Sequence, residues 1–452
     1  MAYRVLAWFL RLVTRVFFRQ IEVEGLEHVP ADGPVIFVGN HPNSLLDPIL
    51  IITSCGRKVH FAAKDTLFKN ALMRAVLGGL GAVPIARRVD HGGAGAVDND
   101  AAFTAMFGVL GDRGALGIFP EGISHDESQL QRLKTGAARV ALGAVARGHG
   151  PVQVVPCGLT FINPKRFRSR VLVQYGPPIT VDAGWQAQAD ADGPAAARAL
   201  TVAIEQRLRA LTINADDWDT LRTLDVIRRL YQPAGLAIED RVELARRFNT
   251  HYPAVADHPR VQAVVAAARA YQAHLDATGL TDRELARDLS TGELASKLGY
   301  YLALVLFWLP LTVPGLPLHL PTVVFARFAG KKLTPRKDVV ATTKVVTGIL
   351  MVLVAYAAAI ALLAWRVGPA WAAIAAVVLP LSGIATLRVL DRVHLLRRGL
   401  GVLRRRLRLR AELAALRAER AEIVAAIVGV VDEVKPEGLE LRYPQGPATV
   451  TT

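Results

Sequence analysis

The rhythm of apolar and polar positions changes several times along the chain. Over residues 1–20, Val5, Leu6, Trp8, Phe9, Leu12, Val13, Val16 and Phe17 recur at helical spacing around Arg4, Arg11, Arg15 and Arg19, which share one helical face. Four arginines make a spanning helix costly, so the expectation is an amphipathic helix lying in a bilayer interface. From 21 to 205 the rhythm becomes an alternation. Short apolar runs at Val35–Val38, Val59–Ala62, Leu116–Phe119, Val152–Val155 and Val171–Tyr175 have the character of buried strands. Helical patterns near Leu67–Leu77, Asp100–Leu110 and Thr135–Ala146 lie between them, and Gly92–Gly95 marks a loop. This order predicts an α/β domain with a largely buried sheet.

Residues 206–295 are rich in Ala, Leu, Arg and Asp at helical spacing and predict a helical unit in which no chemistry stands out. A C-terminal helical membrane region is expected over 296–387. Leu298–Ala326 holds no Lys, Arg, Asp or Glu, but Pro310, Pro314, Pro317 and Pro321 interrupt it. Val345–Trp365 and Val367–Leu387 are also uncharged, each long enough to span a bilayer core of about 30 Å. Arg327, Lys331, Lys332, Arg336, Lys337 and Lys344 precede this pair, Arg388, Arg392, Arg397 and Arg398 follow it, and only Arg366 lies between. The positive-inside rule places both flanks in the cytoplasm. If the α/β domain is cytoplasmic too, Leu298–Ala326 crosses an even number of times, as a re-entrant or broken hairpin would. A single kinked crossing is the rival arrangement. Residues 388–434 read as a basic helix whose Arg404–Arg410 stretch suits anionic lipid, with a partner helix as the plainer alternative. Residues 435–452 read as a loose tail.

Composition narrows the partners. Of the 452 residues, 52% are hydrophobic, and basic side chains give a net charge of +15. That excess suits an anionic partner, and with the apolar helices a lipid surface is favoured over nucleic acid. No zinc-type spacing and no aromatic-studded basic motif is present. Two cysteines, Cys55 and Cys157, make a disulfide framework improbable.

Four constellations carry polar chemistry, three of them at the end of an apolar run. His41 follows Val35–Val38, with Pro42 suited to open a helix and Asp47 close enough in sequence to reach back to the imidazole. A carboxylate on one ring nitrogen fixes the tautomer and leaves the other to take a proton from a hydroxyl. Pro120-Glu121-Gly122 follows Leu116–Phe119 and could hold a polar acceptor; Ser124 lacks the second glycine of a hydrolase elbow. Arg87, after Val83-Pro84-Ile85-Ala86, is a fork donor for phosphate. Pro156 and Gly158 flank Cys157 after Val152–Val155; nothing nearby in sequence would lower that thiol's pKa. Lys165, Arg166, Arg168 and Arg170 form a basic cluster whose target is phosphate, a coenzyme or the bilayer, or which is simply a solvated edge. Alone, each of these reads equally well as an ordinary turn or strand end.

Their joint order resembles the four-motif set of the glycerolipid acyltransferase superfamily: Asn40-His41-Pro42-Asn43-Ser44-Leu45-Leu46-Asp47-Pro48, then Pro84-Ile85-Ala86-Arg87, then Phe119-Pro120-Glu121-Gly122, then Val155-Pro156-Cys157-Gly158. Five residues separate His41 from Asp47, where the commoner form has four. That spacing, with Gly122–Asp126, Leu133–Gly136 and Phe167–Arg170, is similar to the glycerol-3-phosphate/dihydroxyacetone-phosphate acyltransferase branch. The resemblance covers about residues 30–180 and implies a charge-relay pair, His41 and Asp47. It implies acceptor-phosphate contacts from Arg87, Glu121 and Gly122, helped by Lys134, and an acyl path near Pro156. The implied activity is transfer of a fatty acyl group from acyl-CoA or acyl carrier protein to glycerol-3-phosphate or dihydroxyacetone phosphate, in phospholipid biosynthesis at the cell membrane, with the acyltransferase domain on the cytoplasmic side. No metal or bound cofactor is required. The alternatives are a lysophosphatidate acyltransferase, a thioesterase, and a non-catalytic membrane protein that binds anionic lipid.

Overall fold

The computed structural model of the chain describes residues 2–86, 99–233, 235–286, 291–334, 336–437, 440, 441 and 443. The chain divides into two compact units, Met1–Asp217 with Pro335–Thr342, and Trp218–Thr334 with Thr343–Thr452.

In the first unit, helix α1 (Ala2–Phe17) runs straight into strand β1 (Phe18–Glu24). There follow β2 (Val35–Gly39), α2 (Leu46–Ser54), β3 (Val59–Lys64), α3 (Ala71–Gly79), β4 (Val83–Ile85), α4 (Asp100–Gly111), β5 (Ala115–Ile118) and α5 (Gly136–Val145). The unit continues with β6 (Val152–Phe161), β7 (Ser169–Tyr175), β8 (Ile179–Val181), α6 (Ala183–Ala191) and α7 (Gly193–Arg209). The strands form one sheet in the order β1-β7-β6-β2-β5-β3-β4, with β8 beside β6. Strand β2 is central, buried along its whole length, and parallel to both β5 and β6. Successive side chains of a strand point to opposite faces. Ile36 and Val38 therefore join a core with Leu116, Ile118, Val152, Val154 and residues of α4, α5 and α7. On the opposite face the Phe37 ring meets Tyr175, whose hydroxyl bonds Ser54 of α2. Each fully buried aliphatic side chain contributes roughly 1.5–3 kcal/mol by leaving water.

This is the expected α/β domain, with differences at its edges. Strands β1, β4 and β8 are not predicted; β1 is polar and partly exposed, and the other two are only three residues long. Because α1 stops at Phe17, Arg19 leaves the helical face it was expected to share. The Arg168 guanidinium, at φ 62°, closes that junction by donating to the carbonyls of Arg15, Val16 and Phe18. Along α1, Val5, Trp8, Leu12 and Val16 stay exposed, Trp8 to 64%. A boundary at 205 would cut through α7, since Leu200, Ile204 and Leu208 all belong to the sheet's core. Helix α2 starts at Leu46, so Pro42 lies in the preceding turn and does not open the helix.

The second unit is helical: α8 (Trp218–Tyr231), α9 (Ile238–Val255), α10 (Pro259–Thr278), α11 (Asp282–Ala286), α12 (Thr291–Thr312), α13 (Leu316–Lys332), α14 (Val340–Arg366), α15 (Pro369–Arg408) and α16 (Arg410–Val434). Residues 388–434 are not one helix set apart from the middle of the chain. Leu416, Ile423, Ile427 and Val430 of α16 complete a core with Leu224, Leu244, Val264, Tyr271 and Leu275. Asp282 ties the bundle together by accepting from Tyr271 Oη at 3.0 Å and Arg420 Nε at 2.8 Å. Within the arginine stretch, Arg405 pairs with Glu284 at 2.9 Å.

Among the described residues, three helical stretches are long and apolar enough to cross a membrane: Gly292–Lys332, Lys337–Arg366 and Pro369–Arg405. The first is broken at Val313–Gly315. Leu298 lies against Gly399 and the Thr312 carbonyl accepts from Ser382, so α12 runs antiparallel to α15. Past the break, His319 meets Thr386 and Tyr356, Ala326 lies beside Gly348, and Gly330 beside Lys344. Helix α13 therefore returns in the opposite direction, antiparallel to α14. Pro310, Pro314 and Pro317 remove backbone donors here, and Ser382 serves the turn by also accepting the Gly315 N–H at 3.0 Å.

Candidate active site

The parallel strands β2, β3, β4 and β5 end at one edge of the sheet, the edge where open α/β sheets place their ligands. Strand β2 delivers His41 there. The next residues turn sharply: Ser44 adopts φ 48°, and the N–H groups of Leu46 and Asp47 bond back to Asn43 O and Ser44 O. Asp47 then sits in the first turn of α2, where a helix N-terminus favours negative charge. His41 Nδ1 lies 2.8 Å from Asp47 Oδ2, and the Asn43 N–H donates to the same oxygen at 2.7 Å.

Asp47 is fully buried, whereas the His41 side chain keeps 18% exposure. Burial pushes the Asp47 carboxyl up from its ordinary range, against the pull of His41 and the Asn43 N–H. Its other oxygen, Oδ1, is buried without a partner. The His41 ring is stacked on Phe119, centroids 4.0 Å apart and planes 4° apart. Gly39 leaves room for that ring, since a Cβ there would stand 3.2 Å from Phe119. With Nδ1 committed and the ring clamped, Nε2 is the nitrogen able to take a proton; it has no hydrogen-bond partner among the described residues.

The second motif wraps the first. Glu121 Oε1 accepts the His41 N–H at 2.9 Å, Oε2 accepts the Gln131 N–H at 2.7 Å, and the His125 ring bonds Oε2 through Nε2. The His125 N–H in turn donates to the His41 carbonyl at 3.2 Å. Burial lowers the His125 pKa, but Glu121 outweighs it, aided by Glu127 and Asp338, and the net direction is upward. Asn40 is locked by a reciprocal pair with Leu159, 3.0 and 2.8 Å.

The predicted site residues thus fall into three groups. His41, Asp47 and Glu121 come together. Glu121 is buried with both oxygens engaged by the protein, and it fastens the His41 backbone. Gly122, at φ 74°, forms the tight turn beside it, a backbone state that favours glycine, and the Lys134 ammonium fills the space where a Cβ would project. Lys134 remains exposed and available to an anion. Pro156 is buried in β6 opposite Val38, its ring against Gly176, where it packs within the sheet. Arg87 lies outside the described residues. In the basic cluster, Lys165 pairs with Asp126 at 2.6 Å. Burial pushes both thiols up, Cys55 to about 11, which removes them as nucleophiles. Among the described residues no His, Cys, Asp and Glu cluster could hold a metal ion.

Sequence reasoning missed His125, whose role depends on Glu121 being turned inward, and the Arg336–Asp338 turn, which is remote in sequence. Asp338 Oδ2 accepts the Ser124 hydroxyl at 2.5 Å, and Arg336 donates to the Ser124 carbonyl at 2.8 Å.

With this geometry in hand, two families match the chain. One, described as Glycerol-3-phosphate acyltransferase 2 C-terminal domain, matches residues 223–439; the other, described as Acyltransferase, matches residues 20–160. Glycerol-3-phosphate O-acyltransferase 2 of Saccharomyces cerevisiae is 33% identical over 58% of this chain and 37% of its own length. Glycerol-3-phosphate O-acyltransferase 1 of the same organism is 25% identical over 76% of this chain and 59% of its own length. The chain therefore spans between about a third and three-fifths of these relatives. A crystal structure of the 1-acyl-sn-glycerophosphate acyltransferase from Thermotoga maritima aligns with 45% of this chain and 78% of that one, at 21% identity and a TM-score of 0.32.

Proposed function

We propose that the chain is a glycerolipid acyltransferase of the glycerol-3-phosphate branch, which moves a fatty acyl group from an acyl thioester to a hydroxyl of glycerol-3-phosphate or dihydroxyacetone phosphate; the two family matches and the similarity to the yeast glycerol-3-phosphate O-acyltransferases support this reading. The observation that carries the mechanism is the 2.8 Å bond between His41 Nδ1 and a carboxylate that is wholly buried while the imidazole is not. His41 Nε2 takes the proton of the acceptor hydroxyl as its oxygen attacks the thioester carbonyl. The resulting oxyanion collapses, the carbon–sulfur bond breaks, and the departing thiolate takes the proton back from His41. Asp47 holds the ring in the tautomer this requires and stabilises the imidazolium between the two steps. Phe119 and the Glu121 brace keep the ring in place, so no reorganisation is needed at reaction.

Lys134, Gly122 and Arg87 are the groups we assign to the acceptor phosphate, and acyl-CoA or acyl carrier protein is the donor. The apolar helices put the enzyme in a membrane. The Arg336–Val339 turn packs within the first unit, and its basic flank favours the cytoplasmic side for the site as well. The reversal at Val313–Gly315 satisfies the parity this needs. Exposed Trp8 and its apolar neighbours on α1 suit the adjacent interface.

A lysophosphatidate acceptor is the second reading, because a protein named 1-acyl-sn-glycerol-3-phosphate acyltransferase, from Borreliella burgdorferi, is 28% identical over 27% of this chain. The test is purified protein with radiolabelled acyl-CoA and a panel of acceptors. Labelled lysophosphatidate from glycerol-3-phosphate is the expected result. Label appearing in phosphatidate alone, and only when lysophosphatidate is supplied, transfers the assignment to the second reading. Free fatty acid alone rejects both.

A further inference from the structure

We propose that Asp338 is a positioning residue of the acyl-transfer site, holding, with Arg336 and through Ser124, the turn that fixes the His41 backbone. The proposal rests on the reading of His41 as the base. Both backbone polar groups of His41 are satisfied from one short segment: Glu121 accepts its N–H at 2.9 Å, and the His125 N–H donates to its carbonyl at 3.2 Å. The place of the imidazole therefore follows the place of residues 121–125.

That segment is held from within by Gln131 N–H and the His125 ring on Glu121, and by the Lys134 N–H on Pro120 O. Its outer end is held by residues from a distant part of the sequence. Ser124 donates its hydroxyl to Asp338 Oδ2 at 2.5 Å, and its carbonyl accepts from Arg336 Nη2 at 2.8 Å. Arg336 clasps Asp338 on both oxygens, Nε to Oδ1 at 3.1 Å and Nη2 to Oδ2 at 2.7 Å. Planar two-point pairing of this kind fixes orientation as well as contact. Asp338 is only 5% exposed, and burying a carboxylate is costly unless it is paired and hydrogen-bonded, as this one is. Ser124 is the immediate neighbour of His125, so two hydrogen bonds and one peptide bond connect Asp338 to the His41 backbone.

The position of Asp338 in the chain gives the contact its meaning. It lies between α13 and α14, two helices of the apolar region, yet residues 335–342 belong to the first unit. A turn joining two candidate membrane helices thus supplies part of the frame of the catalytic histidine. Misplacing a reacting group by about 1 Å costs on the order of 100-fold.

The test uses the full-length protein with Asp338→Ala, Asp338→Glu, Ser124→Ala and the Asp338→Ala/Ser124→Ala double variant. Asp338→Ala should lower kcat about 10- to 100-fold while KM for donor and acceptor stays within about 2-fold. Asp338→Glu should recover most of the loss. The double variant should be no slower than Asp338→Ala alone, since both remove one contact. Amide hydrogen exchange should speed up in peptides covering 39–47 and 121–127 of Asp338→Ala and stay unchanged in 152–161. If Asp338→Ala does not fold, Ser124→Ala gives the same readings. A kcat within 2-fold of wild type, losses that add in the double variant, or unchanged exchange around His41 overturns the proposal. Should wild type acylate no acceptor, the functional reading fails by itself, and the exchange experiment still decides whether Asp338 orders His41.

Discussion

Two histidine–carboxylate pairs stand side by side at the sheet edge, and their difference separates chemistry from scaffolding. In both, the carboxylate is fully buried, and the imidazoles are nearly equally exposed, 18% at His41 and 13% at His125. The remaining bonds distinguish them. His125 commits both ring nitrogens, Nε2 to Glu121 and Nδ1 to the Glu127 N–H at 3.3 Å. Among the described residues His41 commits only Nδ1. Glu121 spends its oxygens on three protein groups, while Asp47 uses one oxygen to aim a ring and leaves the other unpartnered. A histidine with one nitrogen anchored and one available can shuttle a proton; a histidine anchored at both can only hold. On the proposed mechanism, the pair assigned to proton transfer and the pair that braces are told apart by what is left unbonded, a property that neither residue type nor proximity reveals.

The sharpest way to break this contrast is to remove each carboxylate's charge. Asp47→Asn should lower kcat by about 100-fold or more, because the amide favours the wrong tautomer, while the thermal midpoint changes little. Glu121→Ala should reverse the weighting. It orphans the His41 and Gln131 N–H groups and should cost about 3 kcal/mol of stability in denaturant unfolding, with a kcat loss smaller than that of Asp47→Asn. An Asp47→Asn enzyme that is unstable but fast would invert the two roles.

A pH series separates the pairs more gently. The His125 pKa is raised in the folded protein from an ordinary value of 6.5. The folded state then holds a proton that the unfolded chain releases first, so the stabilisation is complete below about pH 6.5 and fades as pH rises through the raised value. The stability advantage of wild type over His125→Gln should be largest at acid pH and shrink toward alkaline pH; a constant difference would mean that the bond to Glu121 carries no charge. The smallest expected effect is at the thiols. Buried, with raised pKa, Cys55 and Cys157 should leave activity unchanged after treatment with a thiol-alkylating reagent under native conditions.

Much of the site is legible in sequence because the chemistry lies in short, ordered segments. The apolar run Val35–Val38 announces a buried strand, and a histidine just beyond it must sit at the sheet's edge. What is not legible is orientation. Glu121 reads as an acceptor contact because a polar residue after a strand is assumed to face outward; here it faces the His41 backbone. Pro156 reads as a lining residue, whereas the sheet closes over it. The α16 bundle contact escapes because charge pattern alone does not distinguish a lipid-facing helix from one that pairs with Glu284 and Asp282. Asp338 escapes because its contact with Ser124 joins positions more than two hundred residues apart, and no local pattern encodes that.

Chemical rescue decides whether His41 moves the proton. His41→Ala should lower kcat by at least ~100-fold. Added imidazole should restore part of it in proportion to its concentration, and should do nothing for Asp47→Asn, whose own ring still fills the site. Activity of His41→Ala close to wild type without imidazole would contradict the account.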